Sequence, residues 1–177
     1  MGDFGYDYET LKDVDPKHHV FIGGNHENYD KIKDVPNHLG DFGYTVNFNG
    51  VDFFYYRGAY TVDPINSFPH NVNDRIIGVN WWKEEELKIE SFFEARELYR
   101  SIKPDLVLTH ECPEEVTPSL IRPGARVYQN MTSYFLQELF NIHQPKFWYF
   151  GHHHKSWQKN VRGTNFRCLN ILETASI

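Results

Sequence analysis

The chain has 177 residues, 40% of them apolar and 24% charged, with 14 Phe, 11 Tyr and 4 Trp. That length is one domain's worth, and the aromatic load excludes a disordered chain, which has few large side chains to bury. A formal net charge of −6 leaves no electrostatic footprint of a generic nucleic-acid binder. No apolar run approaches the ~18–20 residues a membrane span needs, and the acidic start, rich in Asp and Tyr, is unlike a secretory signal. Cys112 and Cys168, the two cysteines, cannot build a disulfide framework, so a cytoplasmic, reducing setting is expected.

No repeat and no Pro/Gly/Ser-rich linker divides the chain, so residues 1–177 read as a single domain. Short apolar runs alternate with helical patterns, which predicts an α/β or mixed layered fold. Residues 19–22 predict a buried strand ending at Gly23-Gly24, and residues 27–35 a short helix. Residues 44–48 and 51–57 are aromatic and β-branched, and Asn49-Gly50 between them is a strong two-residue hairpin signal. Residues 60–80 are polar, contain Pro64 and Pro69, and predict a long irregular loop of the kind that often carries function.

From 82 to 102 the pattern turns helical: Leu87, Phe92, Ala95, Leu98, Tyr99 and Ile102 approximate a 3.6-residue period. Pro104 closes that helix, and residues 105–109 form a buried strand running into His110. Residues 132–142 predict a second helix with Leu136, Leu139 and Phe140 inward. The strand 147–150 follows and ends at Gly151. Residues 157–161 and 165–172 predict a final hairpin through Arg162-Gly163-Thr164.

Three of these strands end alike. Residues 20–22 run into Gly24-Asn25-His26-Glu27, residues 106–108 into Thr109-His110, and residues 148–150 into Gly151-His152-His153-His154. Ligands of α/β sheets bind outside the carboxyl ends of strands. Three adjacent strands would bring Asn25, His26, His110, His152 and His154 to one rim. Imidazole nitrogens and an amide oxygen there suit Zn, Mn or Fe. Each histidine alone is more often an ordinary hydrogen-bonded residue; three in this order, each after a buried strand, predict a site.

Gly24-Asn25-His26-Glu27, Thr109-His110 and Gly151-His152-His153-His154 resemble the GNH[DE], TH and GHxH motifs of the calcineurin-like metallophosphoesterases. Gly2-Asp3-Phe4-Gly5-Tyr6-Asp7 resembles that family's GDxxD motif, with the second acid, Asp7, one place later than usual. Residues 80–87 are similar to a segment of phage and bacterial members. The resemblance implies an α/β (α+β layered) fold, a β-sandwich flanked by helices. It implies hydrolysis of phosphomonoesters or phosphodiesters, of a small molecule, nucleotide or phosphoprotein, through a water activated by two divalent metal ions. Mn is favoured over Fe or Zn.

In that family pattern Asp3 bridges the two metals, ~3.5–4 Å apart. Asn25, His110 and His152 complete the second metal's shell, His154 binds the first metal, and His153 points away. His26 stands beside the leaving-group oxygen as general acid or donor, suited by a near-neutral pKa. Glu27 orients His26, or equally serves as a favourable acid at a helix N-terminus; Asp7 is a supporting residue.

The family's first motif, Asp-x-His, has no counterpart: Asp3, Asp7, Asp13 and Asp15 are followed two places on by Gly5, Glu9, Asp15 and Lys17. The expectation is an N-terminally truncated domain with an incomplete first-metal site and Asp3 on a frayed end. Three alternatives stand: a longer natural N-terminus, a remnant with an open sheet edge, or a module that binds one metal or a phosphorylated ligand without catalysis. A structural zinc domain fits worse, because Cys112 and Cys168 lack paired CxxC spacing. Cys112 is expected to be a buried spectator. Trp81-Trp82 reads as core packing or a stacking platform. Arg57, Arg75, Arg122 and Arg126 read as solvated surface or as contacts to phosphate.

Overall fold

The computed structural model describes residues 2–62, 75–121 and 130–176. Arg122, Arg126, Pro64 and Pro69 lie outside the described residues, as does most of the loop expected over 60–80. Short apolar runs, nearly continuous in most of the central strands, build the sheet: β1 (Phe42–Phe48), β2 (Val51–Tyr56), β3 (Leu106–Thr109), β4 (Phe147–Phe150), β5 (Trp157–Val161) and β6 (Thr164–Cys168). Their order is β1-β2-β3-β4-β6-β5. The four central strands are parallel, and β1 and β5 close the edges antiparallel. In the β1–β2 hairpin Asn49 and Gly50 both have positive φ, 49° and 87°, as a type I′ turn requires.

Successive side chains point to opposite faces. Phe54, Tyr56, Val107, Trp148 and Phe166 face two helices, α1 (Ile89–Ile102) and α2 (Met131–Ile142). Phe53, Tyr55, Leu106 and Tyr149 face the other way, onto Ile22. Helix α1 buries Phe92, Ala95 and Tyr99, and Phe92 stacks on Phe135 of α2 with ring centroids 4.0 Å apart. Asn130 caps α2 by accepting from the Ser133 amide at 2.7 Å.

The mixed layered α/β class is as expected, with differences in detail. The helix expected over 82–102 begins only at Ile89; before it lies a 3₁₀ turn, Lys83–Glu85, then extended backbone at Glu86 and Lys88. Tertiary bonds override local propensity there, because Glu85 accepts from Thr61 and Glu86 from the Thr132 amide at the start of α2. The expected helix at 27–35 shrinks to a 3₁₀ turn, Ile32–Asp34. One buried apolar residue, Ile32, and Pro36 just beyond cannot sustain a longer helix.

Residues 19–22 do not join the sheet as a strand. Phe21 makes a single parallel bridge to His38, and Ile22 lies against the sheet's second face. Its backbone bonds go instead to residues 37–39, with the Phe21 amide donating to the Asn37 carbonyl at 2.9 Å and the Leu39 amide to the Phe21 carbonyl at 3.0 Å, so the segment lies across the sheet's face and not along an edge. The rim expected from three adjacent strands is therefore made by two, β3 and β4, plus a loop laid across them. Among the described residues the second layer is irregular chain, not a second sheet. Strand β6 stops at Cys168, short of the expected 172, where Asn170–Glu173 turns back. Among the described residues no helix is long and apolar enough to cross a membrane.

Candidate metal centre

Strands β3 and β4 end side by side, and the Gly151 amide donates to the His110 carbonyl at 3.0 Å just past the ladder. His110 and His152 thus leave the same rim. His152 and His154 have φ of 59° and 51°, and Asp3 has 56°. Such left-handed backbone costs a non-glycine residue ~1–2 kcal/mol and gathers at functional sites.

The loop at 24–26 meets this rim. Asn25 Oδ1 lies 3.2 Å from His110 Nε2 and 3.1 Å from His152 Nδ1. Its Nδ2 donates to Thr61 Oγ1 at 3.1 Å, and that hydroxyl donates to Glu85 Oε2 at 2.5 Å. The chain of bonds settles the amide: nitrogen to Thr61, oxygen to the imidazoles. Asp3 Oδ1 accepts from the His26 amide at 3.0 Å and stands 3.3 Å from His110 Nε2. A Cβ at Gly24 would collide with Asp3 Oδ1 and come 2.7 Å from His110 Nε2, so this close approach needs glycine. Asp3, His110, Gly151, His152 and the exposed His154 line one hollow of about 330 Å³.

Electrostatics here favour a cation. Burial would raise the Asp3 carboxyl, but His110 and His26 outweigh it and hold it well below the usual carboxylate range. Burial keeps His152 neutral, lowering it to about 4 against the pull of Glu111. Glu111 is fully buried, yet His152 and His153 beside it keep it ionised. A carboxylate, an amide oxygen and two imidazole nitrogens are the donors that a divalent transition ion takes, and the neutral imidazole offers its lone pair without first losing a proton.

The His26 ring meets Arg75, with Nη2 2.6 Å from Nε2. Guanidinium only donates, so this ring nitrogen accepts and carries no proton in that contact. Arg75 also donates to the Tyr6 hydroxyl at 3.0 Å; it is buried, not solvated surface. Arg57 is buried too, but in a structural role, donating to Asp41 Oδ1 and the Glu84 carbonyl at 2.6 Å each. Trp82 is core, its Nε1 donating to Asp30 Oδ2 at 2.8 Å.

Two supporting residues act differently from expectation. Glu27 accepts from the Phe4 amide at 2.7 Å and the Tyr8 hydroxyl at 2.9 Å. It fastens the segment carrying Asp3, and burial raises its carboxyl to about 7. No helix begins at Glu27, so the helix N-terminus reading falls. Asp7 is exposed and accepts from the Glu9 amide at 3.1 Å; it is not among the residues lining the hollow. Its neighbour Tyr8 is the buried residue, with its hydroxyl on Glu27.

Sequence reasoning missed Thr61 and Glu85, which orient Asn25 from 36 and 60 positions away and carry no motif. It also missed Glu111, whose only signal is its place directly after Thr109-His110. His153 turns away from the hollow, as expected, but inward, to Glu111 and Cys112. Residues 2–156 match the model of the calcineurin-like phosphoesterase family. No curated protein matches the chain. The rim of β3 and β4, the glycine-tight Asn25 loop and this match over most of the sequence agree: the chain belongs to the calcineurin-like phosphoesterase family, metal-dependent hydrolases of phosphate esters.

Proposed function

We propose that this chain, as a single domain in a reducing cytoplasm, hydrolyses phosphomonoesters or phosphodiesters with Mn²⁺ held by Asp3, Asn25, His110 and His152. The observation that carries this reading is Asn25: Thr61 takes its amide nitrogen, which leaves Oδ1 between His110 Nε2 and His152 Nδ1 with Asp3 alongside. A divalent ion there supplies Lewis acidity and a water of lowered pKa. Asp3 would bring the anionic charge and the two imidazoles lone pairs, and His154 on the lining of the same hollow would help hold a second ion. Arg75 presents a guanidinium beside His26, suited to phosphoryl oxygens. With that guanidinium turned to the phosphate, His26 Nε2 is free to take a proton from solvent water and to donate it to the leaving-group oxygen.

The Arg75 guanidinium on His26 Nε2, which occupies the nitrogen that would serve the leaving group, favours a second reading, a module that holds one ion or a phosphorylated ligand without turnover. Assays with p-nitrophenyl phosphate and bis-p-nitrophenyl phosphate, with added Mn²⁺, decide between them. We expect product release that chelation abolishes. His110→Ala should lower it at least ~100-fold, since even residues behind metal ligands cost ~10–100-fold, and His26→Gln should lower the rate with Mn²⁺ affinity retained. Metal uptake without turnover of either ester, with Mn, Fe or Zn, would sink the enzyme reading and leave the module.

A further inference from the structure

Behind the hollow, three side chains converge on one point. His153 Nε2 lies 2.8 Å from Glu111 Oε1 and 3.5 Å from Cys112 Sγ. Glu111 and Cys112 are buried, and the His153 side chain is only 13% exposed. Their ligand atoms all fall within 4.8 Å of one another. A proton relay of thiol, imidazole and carboxylate places the acid at one ring nitrogen and the nucleophile at the other. Here both face Nε2, which carries at most one proton and can satisfy only one of them. Donors gathered around a point describe a ligand shell instead.

The distances suit such a shell. Tetrahedral zinc with bonds of ~2.3 Å to sulfur and ~2.0–2.1 Å to nitrogen sets the sulfur–nitrogen edge at about 3.5 Å, the separation found. The carboxylate–imidazole edge need open by only about half an ångström. Thiolate, imidazole and carboxylate together favour zinc over the harder ions that oxygen-rich sites select.

We propose that Glu111, Cys112 and His153 form a further metal site, binding Zn²⁺ through Oε1, Sγ and Nε2, distinct from the centre of Asp3, Asn25, His110 and His152. A water fills the fourth position, as at other zinc sites with three protein ligands. The two sites share a brace: Glu111 Oε2 stands 3.6 Å from His152 Nε2. Zinc on one carboxylate oxygen therefore holds the other against a residue of the neighbouring centre. Cys168 is outside the cluster, with its thiol directed to the Gly151 carbonyl at 3.4 Å.

Cobalt(II) titration of the full chain, stripped of metal by chelation, tests this directly. We expect a thiolate-to-cobalt charge-transfer band that saturates at the amplitude of one cobalt-bound thiolate per chain and is bleached by Zn²⁺. Cys112→Ser should lose the band and one equivalent of zinc by elemental analysis. Cys168→Ser should keep it, and so should His110→Ala, which disables the other centre. His153→Gln, which retains a side chain able to reach Glu111, should weaken zinc at least ~10-fold. A wild-type protein without the band at saturating cobalt overturns the proposal whatever the variants do. A band that survives Cys112→Ser, or that follows Cys168, overturns it as well.

Discussion

The two halves of the candidate centre are held in different ways. His110 and His152 leave adjacent parallel strands, and the main-chain ladder and the Gly151–His110 bond set their spacing. Beneath them Trp148 is fully buried, stacked on Phe166 and donating to Thr109 Oγ1 at 2.9 Å. Asp3, Asn25 and His26 sit on irregular chain, and side chains hold them: Glu27 clasps the Asp3 segment, and the Thr61–Glu85 pair orients Asn25. The first half can be lost only with the sheet. The second can open by itself, because local segments tied by a few bonds unfold at less than the global free energy.

Breaking the sheet-borne half should have the largest effect. Trp148→Ala should cost ~3–5 kcal/mol of global stability, read as a lower urea midpoint that near- and far-ultraviolet dichroism report together. Glu27→Ala should strike the other half alone. It leaves the Phe4 amide and the buried Tyr8 hydroxyl without their acceptor, at ~1–3 kcal/mol. Hydrogen exchange at the Phe4 amide should accelerate ~10–100-fold while amides of β3 and β4 keep their protection; equal loss in both would refute the division.

Thr61→Val should sharpen the contrast further, freeing the Asn25 amide to rotate. Mn²⁺ affinity by calorimetric titration should fall ~10–100-fold, with the denaturation midpoint shifted far less than by Trp148→Ala. The smallest effect is in pH. Burial raises the Glu85 carboxyl to about 6, against the pull of Thr61. A carboxyl raised on folding gives its full advantage below the ordinary value of 4.5 and loses it as pH climbs to 6. Stability of the wild type relative to Glu85→Gln should therefore drop by ~1–2 kcal/mol across that window and stay level on either side. A difference curve with no slope there would remove burial as the cause.

Legibility in the sequence follows the same division. The β1–β2 hairpin, β3, β4 and the buried face of α2 were readable, because period-2 and period-3.6 patterns and Asn49-Gly50 are signals between near neighbours. His110 and His152 were readable as candidates because each follows such a strand. The course of residues 19–28 was not. Its apolar run looks like a strand, yet Phe21 bonds to residues 37 and 39 across the sheet's face, and Glu27 takes partners in the N-terminal segment. Asp7 misled because a motif's spacing, shifted by one residue, does not reveal which way a loop turns.

By itself the sequence determined the family, the layered class and the residue types gathered at the ends of the strands. These depend on local periodicity and short motifs. Only the tertiary structure decided which atoms face one another. Asn25 and His152 are 127 positions apart. The direction of the Asn25 amide, the burial of Arg75 on His26, and the meeting of Glu111, Cys112 and His153 each depend on how distant segments pack. No neighbour in sequence carries that information, because side-chain direction at a loop is set by the surface it is pressed against.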